Sequence, residues 1–238
     1  MVSKGYLRAW VDAGNRVAVI DCQLGRGFTA SVESATVVSY AYDPEVLSVD
    51  LEAHFAKTES AGIRALHVLR TQESLTREAQ MAVIEFLDMH LERGRYANQA
   101  AITTPAVVVK LGGETEEASL KLGDRLLLSR NMEGFFCLGD LALEHWKWQI
   151  YTTDVLVTGD GAVLLLRETK DSDICTVTFP ISPTQLLVIG QDIDADLPVN
   201  QLVMRNCRRW IVGTVGTLTQ DPKRIEAART GVPLYDAT

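Results

Sequence analysis

The apolar periodicity changes twice along this chain, and that change constrains the fold more than any single motif does. Leu51, Phe55, Gly62, Leu66 and Leu69 recur every three or four positions once Glu59 is counted among them, and Met81, Ile84, Leu87 and Leu91 do the same. Such spacing places each set on one face of an α-helix. To the N-terminal side the pattern shortens to a β-branched run, Arg16-Val17-Ala18-Val19-Ile20-Asp21. To the C-terminal side Trp148, Ile150, Val155, Val157, Val163, Leu165, Val177, Phe179, Leu187 and Ile189 fall in short runs broken by Gly, Asp and Pro. Both flanks therefore read as strands. The expectation is an α+β fold in which a mainly antiparallel sheet, built from N- and C-terminal strands, packs against a central helical layer. The 238 residues are expected to form a single globular domain, 1–238.

Local chemistry sets the provisional boundaries. Asp12-Ala13-Gly14-Asn15 is a turn, because Gly and Asn tolerate positive φ. Gly25 to Ala30 reads as loop, and Val37 to Tyr42 as a short strand. Asp43-Pro44 opens the first helix, with the Asp oxygen as cap and proline where its missing N–H costs nothing. The second helix starts near Ser74 or Thr76, carries Glu78 in its first turn and stops at Gly94. Pro105 interrupts any helix there, and Ala106 to Val109 can extend as a strand. Gly112 to Glu117 reads as an exposed acidic linker, and further helical segments are expected near Leu120 to Leu128 and Leu138 to Trp146. A hairpin over Val155 to Leu166 is expected to turn at Gly159-Asp160-Gly161. Asn200 to Trp210 then reads as helix and Ile211 to Leu218 as strand.

Charge and cysteine usage exclude several classes. With 31 acidic against 23 basic residues the formal charge is −8, the opposite balance to that of a chain that lives by neutralising phosphates. That balance argues against nucleic acid as a partner. The longest apolar run, Ala162 to Leu166, is far too short to span a bilayer, and the first ten residues lack the pattern of a secretory signal. The expected localisation is cytoplasmic, without membrane association. Cys22, Cys137, Cys175 and Cys207 form no Cys-x-x-Cys pair, and their apolar flanks suggest buried thiols.

Several stretches together resemble a bacterial domain-of-unknown-function family, number 4238. Lys4-Gly5-Tyr6-Leu7-Arg8-Ala9-Trp10, followed by the Gly-Asn turn and the run to Asp21, is similar to that family's Tyr-Leu-Arg opening. Asp50, Glu52 and Glu59 match its acidic helix. Val155-Leu156-Val157-Thr158-Gly159-Asp160 is similar to its strand-turn, Thr178-Phe179-Pro180-Ile181-Ser182-Pro183 to its Phe-Pro-Leu-Ser-Pro signature, and Asn200 to its helical Asn. Two features depart from the pattern. The His-x-x-Pro that precedes Tyr-Leu-Arg in the family has no counterpart here, and the Ser-Asp-Asn-Pro turn is Thr158-Gly159-Asp160-Gly161. The family has no settled biochemistry, so the resemblance implies no reaction.

Two readings of function come from the residues. The preferred one is an intracellular binding or protein-interaction protein with an unknown protein or small-molecule partner and no cofactor. Its candidate ligand-binding residues are Glu59 and Arg205. Glu59 interrupts an apolar stripe, where an unpaired carboxylate is costly, so an arginine partner such as Arg8 or Arg205 is expected. Arg205, Arg208 and Arg209 form a basic cluster, and on a helix Arg205 with Arg208 or Arg209 makes one positive edge that suits an anion or an acidic partner. The competing reading is a metal-dependent nuclease or phosphodiesterase of PD-(D/E)XK type. In it Asp160 and Glu168 hold Mg²⁺ and Lys170 steadies the developing charge. A strand running straight from Ala162 into the 168–173 loop would set the two carboxylates about 25 Å apart, too far to share an ion. The four histidines show no metal-ligand spacing and are expected at the surface or the core edge.

Overall fold

The computed structural model describes residues 2–37, 51–71, 73–130 and 137–218, together with Val46, Asp221 and Ala227. The expected strand over 37–42, apart from Val37, and the Asp43-Pro44 helix start lie outside them. In chain order the elements are α1 (Lys4–Leu7), β1 (Arg16–Asp21), β2 (Arg26–Ser31), α2 (Leu51–Arg70), α3 (Arg77–Arg95), β3 (Thr104–Val109), β4 (Thr115–Leu120) and α4 (Leu122–Arg130). They continue with β5 (Trp148–Thr152), β6 (Thr158–Gly159), β7 (Leu164–Arg167), β8 (Ile174–Ser182), β9 (Gln185–Gly190), α5 (Val199–Asn206) and β10 (Trp210–Gly213). Short 3₁₀ turns cover Arg8–Trp10, Leu138–Leu141 and Leu143–His145.

These elements make an α+β fold with three antiparallel sheets among the described residues. The first joins the two ends of the chain in the order β2-β1-β10-β6, with Asp21 opposite Trp210 and Ala18 opposite Gly213. The second is the isolated hairpin β3-β4, and the third runs β5-β9-β8-β7. The N- and C-terminal strands thus share a sheet as the sequence suggests, but the C-terminal half also builds a sheet of its own. One continuous apolar core includes Tyr6, Trp10, Phe55, Phe86, Phe179 and Ile211, and so draws on both ends and the helices.

The helices follow the sequence closely. On α2 the buried side is Leu51, Phe55, Gly62, Ala65, Leu66 and Leu69, the expected stripe. Thr76 caps α3 by accepting the Ala79 N–H at 3.2 Å. Its buried side, including Val83, Phe86, Leu87 and His90, is rotated from the expected one, because α3 contacts α2 and also the 159–161 segment. Gly94 is not a stop signal. It lies inside the last turn, and a Cβ there would come within 2.0 Å of the Asp160 carbonyl oxygen.

Other expectations need correction. Residues 26–31 are strand β2, because β1 offers them a full ladder. The acidic stretch 112–117 is the tip and return strand of the β3-β4 hairpin, closed through Gly113 at φ +86°. The 138–146 segment is two 3₁₀ turns separated by Ala142 at φ +49°. Trp210 belongs to β10 and not to the preceding helix. Of the cysteines Cys22 is buried, Cys175 and Cys207 are partly buried, and Cys137 is exposed.

Candidate functional site

The expected hairpin over 155–166 does not form, and what replaces it organises the site. β6 pairs with β10 in the first sheet, whereas β7 pairs with β8 in the third. The chain therefore changes sheets across residues 160–163, and along 155–163 several backbone N–H and C=O groups lack a strand partner, although the Asp160 N–H still donates to the Trp210 carbonyl and that of Ala162 to Gly159. Such groups are costly to bury unpaired, and side chains from distant elements satisfy them. Trp10 Nε1 donates to the Leu156 carbonyl at 3.1 Å, and His90 Nε2 to that of Gly159 at 2.7 Å. Asn200 accepts the Val157 N–H and donates to the Val155 carbonyl, at 2.8 and 2.7 Å. Asn206 reaches the carbonyls of Gly161 and Val163 at 2.8 and 3.2 Å. Tyr6 donates its hydroxyl to the Pro180 carbonyl and also bonds the Thr158 hydroxyl, each at 2.5 Å.

Asp160 sits at the turn point, 4% exposed. Its carboxylate accepts the backbone N–H groups of Arg209 at 3.0 Å and Trp210 at 3.1 Å, which anchors the start of β10. Burial pushes its pKa up to about 6, against the pull of those two donors. The neighbouring Cys207 thiol is pushed up by burial and by Asp160, and its sulfur accepts the Gly161 N–H at 3.3 Å. Gly161 is required for close approach and not for a positive φ, since a Cβ there would meet the Asn206 backbone at 2.3 Å.

Beside this segment lies a cleft of about 580 Å³ between the C-terminal end of α3, β7 and α5. Leu91, Val163, Leu164 and Leu202 give it apolar walls, and Arg95, Arg205 and Arg208 surround it with positive charge. Arg205 and Arg208 are exposed and have no ion-pair partner among the described residues. Asp160 also lines the cleft, so Asp160 and Arg205 are brought together.

The remaining predicted residues are elsewhere. Glu168 and Lys170 are exposed on the loop after β7, with that strand between them and Asp160. Asp160, Glu168 and Lys170 thus do not converge on one point, because the chain leaves the turn as an extended strand. No group of three His, Cys, Asp or Glu side chains able to hold a metal ion occurs among the described residues. Glu59 is part of a different contact. Its carboxylate accepts Arg93 Nη1 at 3.0 Å and the Ser3 hydroxyl at 2.6 Å, and the Arg93 guanidinium lies over the Phe55 ring. The partner is Arg93 rather than Arg8 or Arg205, because α2 and α3 pack side by side; Arg8 instead reaches Glu33. His90 is also displaced from expectation, to the core among Tyr6, Phe86 and Phe179, where burial pulls its pKa down to about 4. The spacing Val83, Phe86, Leu87, His90, Gly94 carries that signal in the sequence. Arg95 carries none, since only the tertiary fold places it by α5.

No protein-family model, curated protein or solved structure matches the chain. No helix among the described residues is long and apolar enough to cross a membrane.

Proposed function

We propose that this chain is a binding protein whose ligand site is the Arg205 cleft, and that the ligand joins an anionic group to an apolar body. The observation that carries the reading is the convergence of Arg205, Arg208 and Arg95 on one apolar-walled cleft in a chain of net charge −8. Guanidinium groups suit carboxylate and phosphate oxygens, and the leucine walls suit an aliphatic or aromatic remainder. The cleft volume is that of a small-molecule site. Glu59 serves in this reading as an ion pair between helices and not as a ligand contact. The resemblance to the domain-of-unknown-function family belongs to the same proposal and adds no chemistry to it.

Titration calorimetry with sodium decanoate and with inorganic phosphate tests the reading. Decanoate is expected to bind saturably, and Arg205→Ala and Arg208→Ala each to weaken it about tenfold, the loss of one charge-assisted hydrogen bond. Absence of saturable binding by both probes would overturn it. So would Mg²⁺-dependent cleavage of plasmid DNA abolished by Glu168→Ala or Lys170→Ala. Both positions are exposed, so loss of folding would not mimic that result.

A further inference from the structure

A two-stranded hairpin is marginal in water unless a third strand or an apolar surface supports it. The β3-β4 hairpin is the one sheet among the described residues with only two strands, and it presents Val107 and Val109 at 64% and 66% exposure, with Leu111 fully exposed. Pro105, Val107 and Val109 alternate along β3 and so share its outward face, while Leu111 follows in the turn.

The hydrogen-bond phase identifies the open edge. Lys110 N–H donates to the Glu114 carbonyl at 2.8 Å, so Lys110 and Glu114 form a hydrogen-bonded pair. Bonded and non-bonded pairs alternate in an antiparallel ladder. The pairs Val109–Thr115, Val107–Glu117 and Pro105–Ser119 are therefore non-bonded ones, and their N–H and C=O groups point away from the hairpin. Pro105 fits that phase, since its missing N–H would lie on the outer side.

We infer that the outer edge of β3 pairs with β3 of a second copy of this chain, antiparallel about a two-fold axis at Val108. In that register Val107 of each copy exchanges both backbone bonds with Val109 of the other. The outward faces then join into one apolar surface. Charge favours this edge over the other: β3 carries no charged side chain, whereas β4 carries the adjacent Glu116 and Glu117. The edge is short, so the dimer is weak, and screening of the −8 chains by salt strengthens it.

Sedimentation velocity of the full chain, from low to several hundred micromolar, tests this. The weight-average sedimentation coefficient is expected to rise toward the dimer value, and the Val107 and Val109 amides to exchange more slowly at high concentration. Val109→Lys and Val107→Pro are each expected to hold the coefficient at the monomer value throughout. Neither touches a bond within the hairpin, because both N–H groups point outward. A wild-type chain that stays monomeric, a dimer that survives both substitutions, or protection that does not depend on concentration would each overturn the proposal.

Discussion

The switch segment around β6 and the β3-β4 hairpin are both short strand structures, yet their surroundings are opposite. β6 has two residues and is fully buried, and it and its flanks are held by Tyr6, Trp10, His90, Asn200 and Asn206, which come from three separate stretches of the chain. The hairpin has twelve strand residues paired in regular register, yet three large apolar side chains stand in solvent. Local strand propensity favours the hairpin, with Val107-Val108-Val109 in sequence. Tertiary satisfaction of backbone groups favours β6. The contrast locates stability in the first region and an open interaction edge in the second.

Trp10→Ala should do the most damage to this contrast. It removes a fully buried side chain and orphans the Leu156 carbonyl, at a cost of about 3–5 kcal/mol in chemical denaturation. Gly94→Ala follows, at about 3 kcal/mol, because its Cβ must displace the Asp160 backbone. Its melting temperature checks that.

The third prediction concerns pH. His90 has its folded pKa lowered from 6.5 to about 4, so its contribution is lost as pH falls through that window. Asp160 has its pKa raised from 3.8 to about 6, so its contribution is complete below 3.8 and lost as pH rises through 6. The two oppose one another. The destabilisation caused by Asp160→Asn should therefore grow by about 2 kcal/mol as pH falls from about 6 to about 4. Parallel pH–stability curves for variant and wild type would contradict this. Tyr6→Phe should cost about 1–2 kcal/mol, since the Thr158 hydroxyl and the Pro180 carbonyl lose a buried partner. Smallest of all, Val109→Thr on the hairpin should change stability of the monomer by less than about 0.5 kcal/mol in urea titration.

What the sequence made legible follows the same division. The stripe Leu51, Phe55, Leu66, Leu69 was readable because a helix face repeats within a few residues, and Val17 to Ile20 because β-branched runs are local. The hairpin expected at Gly159-Asp160-Gly161 failed because those glycines answer a tertiary demand. Gly161 admits the Asn206 backbone, a neighbour 45 positions away in the chain. The site residues divide likewise. Arg205 was visible on a helical positive edge and Asp160 as an acidic turn residue, whereas Arg208 lies beyond the end of α5 at Asn206. Their meeting in one cleft with Arg95 was not visible, nor was the pairing of Glu59 with Arg93, because neither contact leaves a periodic trace.

Native-state hydrogen exchange on the dilute monomer is the most direct test of the idea that side-chain anchoring fixes the sheet-switch segment. The amides of Val157 and Asp160 should exchange only with global unfolding, in step with those of Ile20 and Val212, while Ala106 and Val108 exchange through local opening at far lower free energy. Exchange of Val157 and Asp160 as fast as that of the hairpin would contradict it.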